Sequence, residues 1–141
     1  MAVRLTDEAR QYIALFEDET GARVRDCVVD DEYDRLIVLV AAGDMADAIG
    51  PGGAHVRAVE EQVGRGIDLV EDADTAAGFV ANALAPAAVT GVTISENDDR
   101  VAYAEVPDDE TGAAIGSGGR NIEKARLLAA RHYDIDDIEL A

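Results

Sequence analysis

The feature that most constrains this chain is an internal repeat that covers most of its 141 residues. Arg35 matches Arg100 at an offset of 65 residues, and Gly50 matches Gly116 at an offset of 66. We interpret this self-similarity as two copies of one structural unit, reconciled by a single inserted residue. Since the two copies use nearly the whole chain, no stretch is left for a third domain.

Each copy predicts the same order of elements: helix, strand, strand, short helix, helix, strand. Thr6 can cap the first helix, in which apolar residues recur at i, i+3, i+4 and i+7, and Thr20-Gly21 can end it. The apolar run LIVLV suits a central strand, because both of its faces are hydrophobic. The acidic stretch at residues 71–75 is the expected linker, so we expect domains at 1–72 and 73–141.

A glycine loop stands between the last two helices of each copy, at Gly50-Pro51-Gly52-Gly53 and Gly116-Ser117-Gly118-Gly119. A helix that starts there presents unpaired backbone N–H groups and its positive dipole end, which together favour an anion. Glycine also lets a sugar-phosphate backbone approach closely. One such loop could be a plain turn between helices, but its recurrence favours a nucleic-acid clamp. Neither loop fits a dinucleotide fingerprint or a P-loop.

The charge balance needs a separate explanation, because 30 acidic residues outnumber 12 basic ones and the net charge is -18. Eleven of the basic residues are arginines, and Lys124 is the single lysine. At molar salt the Debye length is about 3 Å, so the self-repulsion of such a chain is largely screened. The composition therefore indicates a protein of a halophile, and an acidic protein that binds basic partners is the alternative.

Several function classes lack support in the sequence. No apolar run reaches the roughly 18 residues of a membrane helix, and the charged N-terminal stretch is unlike a secretory signal. We therefore expect a cytoplasmic protein with no membrane association. One cysteine, Cys27, and two histidines do not assemble a metal site. We expect Cys27 to be a small core residue, and we expect no cofactor and no catalytic residue.

Four stretches carry a resemblance to a known family: LTDEARQYIALFEDETGARVRDCVVDDE from residue 5, GDMADAIGPGG from residue 43, NALAPAAV from residue 82 and AIGSGGRNIEKARLLAARHYDIDDI from residue 114. In this order the chain resembles the archaeal NusA-like transcription factors, which consist of two KH units of type II. The resemblance implies an α+β fold of two tandem type II KH domains, each a three-stranded mixed sheet packed by helices on one face. It also implies a non-catalytic role in transcription termination or antitermination through single-stranded RNA. RNA polymerase or other transcription components are then expected as further partners.

The expected RNA contacts cluster at the two loops and the helices that follow them. KH loops usually carry Lys or Arg at a middle position, and neither loop does so here. Contact is therefore expected from backbone amides and from cations on the following helices. His55 either stacks on a nucleotide or is an exposed histidine of no consequence. The alternative function is a KH-fold module that docks on RNA polymerase or ribosomal components. The expected RNA-binding residues are Gly50, Pro51, Gly52, Gly53, His55, Arg57, Gly116, Ser117, Gly118, Gly119, Arg120, Asn121 and Lys124.

Overall fold

The computed structural model describes residues 3–141, so the first two residues of the expected first domain lie outside the described part. Contacts within the described part of the chain group it into two compact units, Arg4–Asp72 and Ala73–Ala141, and Val3 is grouped with the latter. We call these the first unit and the second unit. Within residues 3–141, none of the helices has the length and apolar character that crossing a bilayer requires.

Both units follow the order of elements that the repeat predicts. The first unit contains α1 (Asp7–Thr20), β1 (Val24–Asp30), β2 (Arg35–Val40), α2 (Met45–Ile49), α3 (Ala54–Val63) and β3 (Gly66–Glu71). The second unit contains α4 (Ala76–Ala83), β4 (Gly91–Glu96), β5 (Arg100–Glu105), α5 (Thr111–Ile115), α6 (Arg120–Tyr133) and β6 (Asp137–Leu140).

Each unit has one three-stranded mixed sheet. In the first unit β1 is antiparallel to β2 and β3 is parallel to it, in the order β1-β2-β3. The second unit repeats this with the order β4-β5-β6. The middle strand β2 is buried along its whole length, as its apolar sequence predicts. These sheets confirm the α+β fold of two tandem units.

The start and end of α1 follow from its sequence. The Thr6 hydroxyl accepts a hydrogen bond from the Ala9 N–H at 3.0 Å, which caps the first turn. Gly21 then ends the helix in the left-handed region with φ 78°. The predicted inner face packs into the first unit's core, with Phe16 only 1% exposed. Burial of a phenyl ring of this kind contributes about 2 kcal/mol.

Cys27 belongs to the same core, which confirms its expected structural role. Loss of hydration is the largest cause that raises the pKa of its thiol to about 12, and the nearby carboxylates of Asp26 and Glu8 add to it. A thiol with so high a pKa forms little thiolate near neutral pH, so it is a poor nucleophile.

The two copies are equivalent at a constant offset of 66 residues from the central strand to the glycine loop. Leu36 and Ala102 are both buried, and each pairs with a buried isoleucine of the closing strand. The loop glycines Gly50 and Gly116 are separated by the same 66 residues. The offset of 65 expected at the start of this strand is therefore wrong by one residue, and no insertion separates the strand from the loop.

Candidate nucleic-acid interface

The two glycine loops have the same backbone conformation. Gly50, Gly52 and Gly53 have φ values of 74°, 59° and 80°, and Gly116, Gly118 and Gly119 have 77°, 63° and 86°. Each loop is one short 3-10 turn between two helices, α2 and α3 in the first unit and α5 and α6 in the second. All six values lie in the region that favours glycine. The repeated sequence therefore produces a repeated structure.

A polar side chain on the following helix fastens each loop to the helix before it. His55 Nδ1 lies 2.7 Å from the carbonyl oxygen of Asp47. Because a carbonyl oxygen can only accept, this nitrogen carries a proton and donates the hydrogen bond. At the equivalent position of the second unit, the two N–H groups of the Asn121 side-chain amide are shared among the carbonyl oxygens of Ala113, Ala114 and Leu84, the last at the end of α4. These bonds fix the angle at which each loop leaves its helix.

The first glycine of each loop makes room for that fastening side chain. A Cβ added at Gly50 would lie 2.4 Å from Cγ of His55, and one added at Gly116 would lie 2.8 Å from Cβ of Asn121. At Gly52 and Gly118, in contrast, an added Cβ would meet no atom within 4 Å. The outer side of each loop is therefore open, while its inner side is closely packed.

Some of the backbone amides expected to hold phosphate already have partners. The Gly53 N–H donates to the Gly50 carbonyl at 3.0 Å, and the N–H of Ala54 donates to Pro51. The second loop contains the equivalent two bonds. Pro51 has no N–H, so the first loop can offer the amide of Gly52, whereas the second offers both the amide and the hydroxyl of Ser117.

The helices after the loops carry opposite charges at equivalent positions. Arg57 extends back over the first loop, because a Cβ added at Gly53 would lie 2.7 Å from its Nη1. The residue 66 positions later is Glu123, whose Oε1 would lie 3.7 Å from a Cβ at Gly119. At this one position of the following helix, the first loop has a cation and the second has an anion.

Arg57 has no ion pair with any residue in the described range 3–141, whereas five other arginines of the chain do. Arg35, for example, is 2% exposed and lies 2.7 Å from Asp30 and 2.8 Å from Asp68. Arg23 is likewise paired with a carboxylate, since its hydrogen bonds to Asp44 lower the pKa of that side chain. Arg57 is exposed and adjacent to the loop, so its guanidinium is available to an anionic ligand.

An exposed isoleucine precedes each loop. Ile49 and Ile115 end the helices α2 and α5 and are 40% and 39% exposed. In the second unit, Ile115 lines a groove of about 420 Å³ together with Ile122 of α6 and Leu140 of the edge strand β6. Gly119 of the loop also lines this groove, so the groove adjoins the loop and contains both apolar and charged side chains.

The expected site residues divide into exposed and buried ones. The four middle loop residues and Arg57 are exposed, and His55 and Arg120 are half-buried. Asn121 is 9% exposed and Lys124 is 6% exposed, so little of either side chain is accessible to a ligand. Asn121 holds the loop in place, and Arg120 is the more accessible cation beside the second loop.

Sequence reasoning missed three residues that the structure places at the loops: Ile49, Ile115 and Glu123. The two isoleucines stand in the repeated motif Ile-Gly-x-Gly-Gly but were not named as site residues. The signal for Glu123 was its spacing, since it occupies in the second copy the position that Arg57 holds in the first.

Comparison with known proteins gives a consistent result for both units. Residues 10–75 match the model of the KH domain, and residues 76–141 match that of the NusA-like second KH domain. The chain is 61% identical to the probable transcription termination protein NusA of Halobacterium salinarum, with 99% of each chain covered. It is also 61% identical to the protein of that name from Halococcus morrhuae, with 100% of each covered.

A solved structure has the same fold over nearly the whole chain. The crystal structure of APE1850 matches with a TM-score of 0.86 and 31% identity, covering 97% of this chain and 100% of the other. Fold, domain order and full-length identity thus agree. The chain belongs to the NusA-like transcription termination proteins of archaea, which are built from two tandem KH domains.

Proposed function

We propose that this protein is a non-catalytic factor of transcription termination or antitermination that binds single-stranded RNA at both glycine loops. The observation that carries the proposal is the presence of two loops with the same backbone conformation and the same open outer side. KH domains use such a loop to clamp the backbone of a single strand. RNA polymerase or other transcription components are the further partners that this role requires.

The two loops supply different donors to phosphate. In the first unit the Arg57 guanidinium of α3 lies beside the loop that contains the Gly52 N–H, so a phosphate can receive a neutral and a charge-assisted hydrogen bond. In the second unit the Ser117 N–H and hydroxyl provide two neutral donors, with Arg120 following directly. The bases of the held nucleotides then lie against the exposed isoleucine that precedes each loop.

High salt makes this chemistry compatible with a net charge of -18. Repulsion between acidic protein and RNA acts over distance and is screened at molar salt, where the Debye length is about 3 Å. Hydrogen bonds from backbone and hydroxyl groups act at contact and release no counterion of their own. Binding through such donors therefore persists where binding through many cations would weaken.

The proposal is tested by placing negative charge at the open middle positions of each loop. Pro51→Asp with Gly52→Asp alters the first loop, and Ser117→Asp with Gly118→Asp alters the second. Space is available for either Gly52 or Gly118 to carry a side chain, although a positive φ costs a non-glycine residue roughly 1 kcal/mol. Each double variant should lose most of its unit's contribution to RNA affinity at molar KCl.

The matched control replaces the same residues by asparagine, which has the shape of aspartate without its charge. Thermal melts of all four variants report whether the fold is retained. If the asparagine variants lose as much RNA affinity as the aspartate variants, the loss arises from backbone strain and not from negative charge. Unchanged affinity in both aspartate variants would refute RNA binding at the loops.

A second candidate function is docking on RNA polymerase or a ribosomal component, with weak or lost RNA binding. The lack of Lys or Arg at the middle positions of both loops favours it. Titration of the intact chain with labelled single-stranded RNA at molar KCl separates the two candidates, since a docking module would bind the RNA weakly or not at all.

A further inference from the structure

The groove of the second unit is lined by two exposed carboxylates, Glu123 of α6 and Glu139 of the edge strand β6, and neither has a partner within residues 3–141. Glu123 lines this groove and lies beside Gly119, at its junction with the loop. The other charged side chain of α6 in the groove, Arg126, lies 3.0 Å from Asp137 and donates to the Ile138 carbonyl. Glu123 is therefore the group on α6 that remains able to accept hydrogen bonds from a ligand.

The equivalent position beside the first loop is occupied by Arg57, so the two units are chemically different at this point. A carboxylate repels phosphate, but it accepts hydrogen bonds from amino groups of nucleobases. Beside these charged groups, Ile115, Ile122 and Leu140 supply apolar surface in the groove, which suits the face of a base. These features together indicate that a base, and not a phosphate, lies next to Glu123.

We propose that Glu123 is a specificity-determining residue, which makes the second unit prefer bases that carry an exocyclic amino group over uracil. Cytosine presents its N4 amino group as a donor to the carboxylate, whereas uracil has an acceptor oxygen at the same position. That oxygen would face the carboxylate with no proton between them. The first unit, with Arg57 in this place, holds the RNA without that preference. This inference rests on the proposed RNA binding.

The test uses the full chain with the first loop disabled by Pro51→Asp and Gly52→Asp, so that the second unit supplies the binding. The probes are oligocytidine and oligouridine of equal length, at molar KCl. The chain should bind oligocytidine more tightly, and Glu123→Gln should reduce that preference about tenfold. The same ratio is measured in the otherwise unchanged chain, in case the loop variant does not fold.

The charge-matched control is Glu32→Gln, in the exposed turn between β1 and β2, which should leave the preference unchanged. If Glu123→Gln strengthens binding of both probes by the same factor, Glu123 only repels the backbone and the inference fails. An unaltered preference also overturns it. Binding by the otherwise unchanged chain but not by the loop-disabled chain would remove the second unit's role, while no binding by either would refute the proposed function itself.

Discussion

The exposed guanidinium of Arg57 allows a quantitative prediction, because it is a single cation beside the first loop with no ion pair in the described part of the chain. Two unit charges 4 Å apart in water attract by about 1 kcal/mol. Arg57→Gln should therefore weaken RNA binding about fivefold, since 1.4 kcal/mol corresponds to a factor of ten. Arg57→Glu replaces attraction by repulsion and should therefore weaken RNA binding by about 2 kcal/mol.

Salt dependence distinguishes a phosphate contact from a structural effect. Neutralising one phosphate of a single strand contributes about −0.7 to the slope of log affinity against log salt concentration. Between about 0.5 M and about 3 M KCl, the advantage of the unaltered protein over Arg57→Gln should thus shrink roughly threefold. Fluorescence anisotropy with one labelled RNA across this series measures both the affinity and the slope.

The control for Arg57 is Arg10→Gln, which removes another exposed arginine, from α1, that has no ion pair with a residue in the range 3–141. Arg10→Gln should leave the affinity and its salt slope unchanged. If Arg57→Gln binds as tightly as the unaltered protein, or if Arg10→Gln loses as much, Arg57 does not contact phosphate. Melting temperatures of both variants establish that any loss does not arise from unfolding.

Two further predictions concern stability. Asn121→Ala removes the amide that serves three carbonyl groups around the second loop and should lower the free energy of unfolding by about 2 kcal/mol, whereas His55→Ala, with one bond, should cost about 1 kcal/mol. If neither variant changes the melting temperature, these two side chains do not hold the loops in place. With a net charge of -18, the protein should also melt at a higher temperature as KCl rises from millimolar to molar levels, and a flat response would mean that the acidity serves a partner.

Much of the fold was predictable because each local signal agreed with the repeat. Thr6 and Gly21 delimit α1 as their capping preferences predict, and β6 spans the expected residues Asp137–Leu140. The prediction of where β4 starts was less accurate. The strand begins at Gly91, whereas the apolar sequence predicted a start at residue 88. Apolar character does not reveal where hydrogen bonding with the neighbouring strand begins.

The register of the repeat was harder to predict than its existence. The match of Arg35 to Arg100 is an identity of residue type, but it does not place these two residues at equivalent positions in the sheets. Leu36 and Ala102 are equivalent, and their side chains differ greatly in size. A match between identical residues can thus be wrong by one position, where burial and pairing are decisive.

Burial explains why some site residues could not be assigned from the sequence. Asn121 and Lys124 lie close to the loop in the sequence and are polar, which made them plausible RNA contacts. In α6, however, both belong to the wide buried face that also includes Ile122 and Ala125. Which of the polar residues on such a helix are covered depends on the neighbouring elements, and the sequence does not supply those contacts.

The central claim is that this acidic chain binds single-stranded RNA through its two loops under high salt. The most direct measurement is the affinity of the intact chain for one labelled single-stranded RNA across a KCl series that reaches molar concentrations. The account predicts measurable binding at molar KCl, with a log-log slope of about −1.4 or shallower, equivalent to two neutralised phosphates at most. No binding at any salt concentration, or binding only at low salt with a steep negative slope, would contradict it.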